Sequence, residues 1–494
     1  MPFQILVLST DWLVYVLVAV IIATIVYVRG REHLRAPWRR VAQSRSGMIG
    51  LTVLLVFVVA GLLDSVHFRP RLAGSDADAK VAYAIEVLSM LDVALEPLRT
   101  RREKTYSAPL ATHLYAKETI DLPDGGQARG FPRLKYGGGQ LENPERDWAG
   151  DIARAVLGGV AGGAVVWLLC GLLIAALVAR GSGAHIGHAW NQLWRGETEV
   201  PWHAILLTLL VFCALGGATI VLAAEYHVFG TDKVGQDVLY QALKSIRIAL
   251  VIGTLTTLVM LPFALALGIA AGYFGGWVDD AIQYVYTTLN SIPGVLLIAA
   301  FVLLMQVFID RHADWFPTAA ERADVRLLVL CGILGVTSWT GLCRLMRGET
   351  LKLKELEYIQ AAHAFGVRHH RIIARHILPN VMHIVLISVV MEFSGLVLAE
   401  AVLSYIGVGV DPSMNSFGTM INNARLEMAR EPMVWWSLAA AFVFMVTLVL
   451  AANLFADAVR DAFDPRVRTR TLSPVRLAQL LRMHGAQNSA ARQA

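Results

Sequence analysis

Charge is scarce in this sequence. Only 16% of its 494 residues are charged, against 56% hydrophobic, and the mean hydropathy is positive. Soluble domains carry roughly a quarter charged residues, so a wholly soluble enzyme is excluded. Cysteine is rare too. Cys170, Cys213, Cys331 and Cys343 lie inside or at the ends of apolar runs, and no CxxC or Cys/His spacing points to zinc or redox chemistry. They read as buried free thiols. There is no phosphate loop of the GxxxxGK[ST] type, no nucleophile elbow and no HExxH pair, so neither an ATPase site of that kind nor those hydrolytic centres are expected. His363, His369, His370, His376 and His383 crowd one stretch. No Cys joins them and they share a face only loosely, so no metal site is expected. The first apolar run has no basic residues before it and no small-residue cleavage site after it, so a signal peptide is not expected.

What is present is a series of apolar blocks of the length a bilayer requires, about 20 residues in an α-helix. Nine spans are expected, near 11–28, 47–64, 153–179, 204–224, 248–273, 282–308, 326–344, 382–407 and 435–457. Arg29, Arg31, Arg35, Arg39, Arg40 and Arg45 follow the first. Arg344, Arg347, Lys352, Lys354, Arg368, Arg371 and Arg375 separate the seventh and eighth, and seven arginines follow the ninth. Nine spans put these three basic segments on one side, which the positive-inside rule makes cytoplasmic. The N-terminus is then outside and the C-terminus inside. The same rule accounts for the basic loops without nucleic acid. Segment 65–150 carries twelve Lys/Arg and twelve Asp/Glu, with turn chemistry at Asp124-Gly125-Gly126 and Gly137-Gly138-Gly139. It reads as a small outer elaboration, partly helical around 79–98, and not as a catalytic domain. A disordered tail is expected after about Gln479.

The basic segment between spans seven and eight is the most informative. In EYIQAAHAFGVRHHRIIARHILPN, Tyr358, Ala361, Ala362 and Phe365 recur at i, i+3, i+4 and i+7, one face of a helix. Gly366 suits a turn of positive φ, a second basic helix follows, and Pro379 is expected to end it. Periodicity alone leaves a surface helix resting on the bilayer equally open. The spacing of Ala361-Ala362, Gly366 and Leu378-Pro379 resembles the cytoplasmic EAA loop of importer permeases in the ATP-binding cassette (ABC) superfamily, with Gln360 where glutamate is usual and His376 where isoleucine is usual.

Three further segments are similar to the dipeptide/oligopeptide/nickel group of those permeases. GTDKVGQDVLYQALKSIRIAL matches through Gly230, Thr231, Asp232, Gly235, Asp237 and Arg247, and departs at Gln236 and Ala249. AGYFGGWVDDAIQYVYTTLNSIPGVLL matches through Gly272-Tyr273, Gly275-Gly276, Asp279 and Pro293. AEAVLSYIGVGVDPSMNSFG matches from Ala399 to Gly418. The resemblance spans roughly 226–470 and the segment 38–57. It implies an all-α polytopic membrane protein with a type-I importer-like core of about six helices, enlarged here by about three. The expected parts are 1–46 with an extra span and basic loop, 47–64 as first core span, 65–150 as insert, 151–225 as two additional spans, 226–470 as permease core with the EAA loop at 346–380, and 471–494 as cytoplasmic tail. The resemblance further implies a non-catalytic permease subunit in a bacterial-type inner membrane, importing peptides or similar solutes. Its implied partners are a homologous second permease, two ATPase subunits that hold ATP and Mg, and an outer solute-binding protein. The chain itself would hold no cofactor.

Read from the residues, Thr231 and Asp232 are expected to cap the helix into span five, with Gly230 and Gly235 in turns. Glu392 and Glu400 stand inside span eight, eight residues apart and so about 80° around the helix. Ionisable groups at such depth typically face a bundle interior or an aqueous path. Glu392, Glu400 and Ser404 are therefore the candidate pathway or gate residues. Pro293 and Gly395 read as kink and packing positions. Two other function classes stay open: an ion-coupled secondary transporter using Glu392 and Glu400, and a membrane-embedded enzyme capped by segment 65–150.

Overall fold

The structure is a computed structural model that describes residues 3–71, 83–121, 127–183, 185–196, 198–316 and 318–464. The chain opens with strand β1 (Phe3–Leu6), then helices α1 (Ser9–Arg29), α2 (Glu32–Gln43) and α3 (Arg45–Asp64). The insert follows as β2 (His67–Pro70), β3 (Leu88–Ser89), α4 (Met90–Ala94), α5 (Glu96–Thr100), β4 (Glu118–Asp121) and β5 (Gln127–Gly130). Helix α6 (Pro144–Ser182) and α8 (Trp202–Ala223) form a hairpin bridged by α7 (Ile186–Arg195). The remainder is α9 (Val238–Phe274), α10 (Gly276–Ser291), α11 (Gly294–Arg311), α12 (Ala319–Lys354), α13 (Glu357–Ala364), α14 (His369–Ile372), α15 (Leu378–Ile406), α16 (Phe417–Glu427) and α17 (Trp436–Phe463).

Among the described residues nine helices are long and apolar enough to cross a membrane, in the places the hydropathy predicts. The fold is all-α and polytopic. Span six is shorter than expected. The run 282–308 breaks at Ile292-Pro293, leaving α10 and α11 separate, because a residue before proline is driven to extended backbone and Ile292 adopts φ −90° and ψ 130°. The centre of the molecule is the pair α9 and α12. Gly268 and Gly272 face α12 so closely that an added Cβ would lie 2.7 Å from the carbonyl oxygens of Cys343 and Arg347 respectively. That close approach is what small residues permit between membrane helices.

Two polar ends result. At one, α2 rests on the end of α17 through Trp38 and Phe463, whose rings cross at 5.4 Å. There too Arg39 pairs with Glu199 from the α7–α8 connection. At the other end β1 pairs antiparallel with β2 and β2 with β3, so the N-terminal strand and the insert share one small sheet. β1 is too short for periodicity to reveal.

The insert is helical over only part of the expected stretch, in α4 and α5. Residues 79–82 lie outside the described residues, 83–89 are not helical, and α4 starts only at Met90, behind a reciprocal Ser89–Asp92 cap. Asp124-Gly125-Gly126 also lies outside the described residues, between β4 and β5, which pair antiparallel. The same holds for the expected tail, 471–494, and for the last residues of the 226–470 core.

Candidate functional site

The loop between α12 and α15 forms on local rules. Helix α12 ends at Lys354, α13 begins at Glu357, and α13 closes at Gly366, whose φ of +70° is the left-handed turn expected of it. The face it buries is not the expected one. Ile359 is buried among α9, α12 and α15 side chains, with half-buried Ala362 and Val367 beside it. Tyr358 and Phe365 are 46% and 87% exposed, and Gln360, Ala361 and Gly366 are exposed with them. Ile359 therefore seats the helix and the predicted stripe looks outward, only Ala362 turning in. Gln360 stays local, its amide donating to the Glu355 carboxylate at 3.3 Å.

Downstream, Pro379 does not terminate the second helix. Residues 373–377 take a π-helical turn and the helix runs on from His369 to Ile406. The wider turn accommodates the proline's missing N–H. Leu378 is half-buried and Pro379 exposed. Asn380 ties this junction back to α13, donating to the His376 carbonyl at 2.6 Å and to Tyr358 Oη at 3.1 Å.

Two residues of the AGYFGGWVD segment frame the same loop. Tyr273 Oη meets His369 Nδ1 at 2.8 Å. Arg347 of α12 forks onto Asp279 of α10, Nε at 2.5 Å and Nη2 at 2.6 Å. That guanidinium holds the Asp279 carboxyl below the ordinary carboxylate range. The segment's spacing flagged these residues, and their contacts with the loop were not readable from it.

At the opposite end lies the GTD segment. Gly230 and Gly235 have φ of +71° and +72°, as turns require. The cap of α9 is Asp237, which accepts from the N–H groups of Leu239 (2.8 Å) and Tyr240 (3.3 Å), and not Thr231 or Asp232. Thr231 binds the insert instead: its hydroxyl accepts from Ser107 N–H at 2.7 Å and donates to the Thr105 carbonyl at 2.9 Å. Asp232 closes its own turn by accepting from the N–H groups of Val234 and Gln236, each at 2.9 Å. His227 sits beneath, with Nδ1 2.8 Å from Asp237 and Nε2 3.6 Å from Glu103 of the insert. Burial pushes the imidazole down, but these two carboxylates outweigh it and raise its pKa to about 9. Glu103 is correspondingly held below its usual range, against its own burial, by His227 and by the N–H groups of Tyr136 and Lys135.

Arg247 departs from the rest of its motif. It lies inside α9, buried, and donates to Asp11 Oδ1 at 2.6 Å and Thr10 Oγ1 at 3.0 Å, both on α1. Asp324 of α12, 4.0 Å from Arg247, accepts from Thr10 as well. Helix α1 is thereby bolted to α9 and α12 by buried polar groups that satisfy one another.

The carboxylates of α15 diverge. Glu400 is 1% exposed and accepts from Ser404 Oγ at 2.6 Å and Ser416 Oγ at 2.9 Å, which joins α15 to the start of α16. Both it and Ser404, two of the three pathway or gate candidates, are enclosed within the chain. Glu392 is half-buried. Pro293 caps α11 at the helix break, and a Cβ at Gly395 would meet nothing within 4 Å, so Gly395 is not a close-packing position within this chain.

A family model described as "Binding-protein-dependent transport system inner membrane component" matches residues 264–469. The chain is 34% identical over 243 residues to the oligopeptide transport system permease protein OppC of Mycobacterium bovis, covering 49% of this chain and 77% of that protein. It is 31% identical over 242 residues to OppC of Escherichia coli, covering 49% and 73%. It is 27% identical over 305 residues to the dipeptide transport system permease protein DppC of Bacillus subtilis, covering 59% and 89%. Among solved structures, an inward-facing MetNI methionine ABC transporter chain aligns over 46% of this chain and 97% of its own, with 15% identity and a TM-score of 0.35.

Proposed function

This chain belongs to the binding-protein-dependent permeases of the peptide-importer type, and from that premise we propose that it passes peptides or similar small solutes across the inner membrane, driven by ATP hydrolysed on separate subunits. The observation that carries this reading is the outward face of α13. Tyr358, Ala361 and Phe365 stand exposed on a helix held from behind by Ile359 and closed by Gly366. That is an anchored, shape-defined knob for a partner's groove, and two small or open positions between aromatic anchors allow close approach. A helix merely resting on lipid would need no such fixed turn.

In mechanism this is two-state coupling. Closure of the paired ATPase subunits would push α13. The push would pass through the Tyr358–Asn380 contact into α15, and through Arg347–Asp279 and Tyr273–His369 into α12, α10 and α9. The chain supplies no hydrolytic chemistry. Its partners would be two ATPase subunits, a homologous second permease and a solute-binding protein outside. The N-terminus, β1 and the insert would face outside, and the Arg/Lys-rich loops of α2 and α13 the cytoplasm, as the positive-inside rule requires. Half-buried Glu392 would border the path.

The test is purification of the chain from its native membrane. An ATP-hydrolysing subunit should accompany it, and uptake into vesicles should stop on ATP depletion while surviving an ionophore. Uptake that needs no ATPase and collapses with the ion gradient would instead establish an ion-coupled transporter.

A further inference from the structure

Glu392 stands at the midpoint of α15 and, unlike Glu400, has no hydrogen-bond or ion-pair partner among the described residues. Along its side of the helix Ser388, Gly395 and Ala399 are small, while Val389 and Leu396, also one turn away, pack toward the apolar core. The empty space around Gly395 leaves room beside the carboxylate. On this flank of α15 runs an uncovered apolar seam that includes Met391 (45% exposed) and Leu398 (44%).

The helix cannot turn to hide the charge. Phe393, the next residue, is seated on Gly253 of α9, where a Cβ would collide with its ring. Ser394 donates to Asn453 Oδ1 of α17 at 2.7 Å. The flank holding Glu392 is therefore the one the chain leaves free. Hydrocarbon cannot satisfy a carboxylate, and groups at this depth face a bundle interior or water. A carboxylate has only acceptors, so what complements it is a donor, most strongly a cationic one.

We propose that Glu392 is a specificity-determining transit site for an ammonium group of the carried solute, foremost the α-amino group of a peptide. This rests on the importer reading and deepens it by naming the feature of the cargo that the membrane subunit inspects. A single unpaired carboxylate flanked by Ser388, Gly395 and Ala399 suits transit, since a site on a conduction path must bind well enough to admit and weakly enough to release. The enclosed Glu400, its needs already met by two hydroxyls, has no such role.

Two measurements on the assembled importer in membrane vesicles test it. In Glu392→Cys, a membrane-impermeant cationic thiol reagent should modify the 392 thiol, read by mass spectrometry of the peptide that contains it. An unmodified thiol places the residue away from water and overturns the proposal whatever the solute is. Uptake is then compared for Ala-Ala-Ala and its N-acetylated form. The wild-type importer should prefer the free amine by at least about tenfold, the low end for a hydrogen bond to a charged group. Glu392→Gln should reduce that preference to within about threefold and Glu392→Asp should restore it, with co-purifying ATPase confirming assembly of each variant. An unchanged ratio in Glu392→Gln, or equal loss of both peptides, overturns the proposal while leaving the importer reading intact. If the wild-type importer carries neither peptide, the peptide reading fails first and the amine site with it.

Discussion

Replacing Gly366 isolates the geometry of the coupling loop from its chemistry. Gly366 holds φ +70°, and nothing lies within 4 Å of a Cβ built there, so a small side chain meets no clash and the whole effect is conformational. A residue with a Cβ in the left-handed region costs about 1–2 kcal/mol, less for asparagine. Population of the docked turn should therefore fall about 5- to 30-fold in Gly366→Ala, further in β-branched Gly366→Val, and least in Gly366→Asn. The assay is the equilibrium Kd of the ATPase subunit for the chain in nanodiscs, with solute uptake measured in parallel. Both should weaken in the order Asn, Ala, Val while membrane insertion stays constant. Wild-type affinity and uptake in Gly366→Val would refute the argument that this turn presents α13.

The outer cluster should respond to pH. The His227 pKa is about 9, above the ordinary histidine value of 6.5, so its stabilisation is complete below about pH 6.5 and is lost as pH rises through 9, roughly 3 kcal/mol in all. Hydrogen exchange in residues 103–115 should quicken between pH 8 and 10, read after correction for intrinsic exchange, and His227→Gln should abolish the step. A second prediction concerns the extra helix. Asp11→Ala leaves Arg247 buried without its nearest carboxylate and should cost about 3–5 kcal/mol, seen as loss of folded protein from the membrane. Paired replacement, Asp11→Leu with Arg247→Met, should recover much of it, and equal damage from both would refute the bolt.

Much of this architecture was legible along the chain, because membrane spans and left-handed glycines are local signals. Hydropathy locates each span that crosses, and Gly230, Gly235 and Gly366 all take the positive φ their motifs imply. Two of the misreadings, at Thr231 and Arg247, depend on what lies across space. Thr231 reads as a cap until the insert is seen to claim its hydroxyl, leaving the cap to Asp237. Arg247 has its partner 236 positions away on a helix outside the motif-bearing core, and no periodicity reports that. Ile359 is the residue sequence reasoning missed. The aromatics on α13 drew the face outward to Tyr358 and Phe365, while Ile359 and Ala362, three apart, marked the seated side all along. Pro379 failed as a stop because a π-turn, invisible in composition, accommodates it.

The central claim is that α13 is where an ATPase subunit engages this chain. It is tested most directly by placing a photo-crosslinking residue at position 365 of α13, whose Phe365 is 87% exposed, and at position 359, whose Ile359 is 2% exposed. In native membranes, light should join position 365 to an ATP-hydrolysing subunit, more weakly once ATP analogue shifts the assembly, while position 359 gives only products within the chain. Crosslinks from 365 to lipid alone, in preparations that still take up solute, would contradict the account.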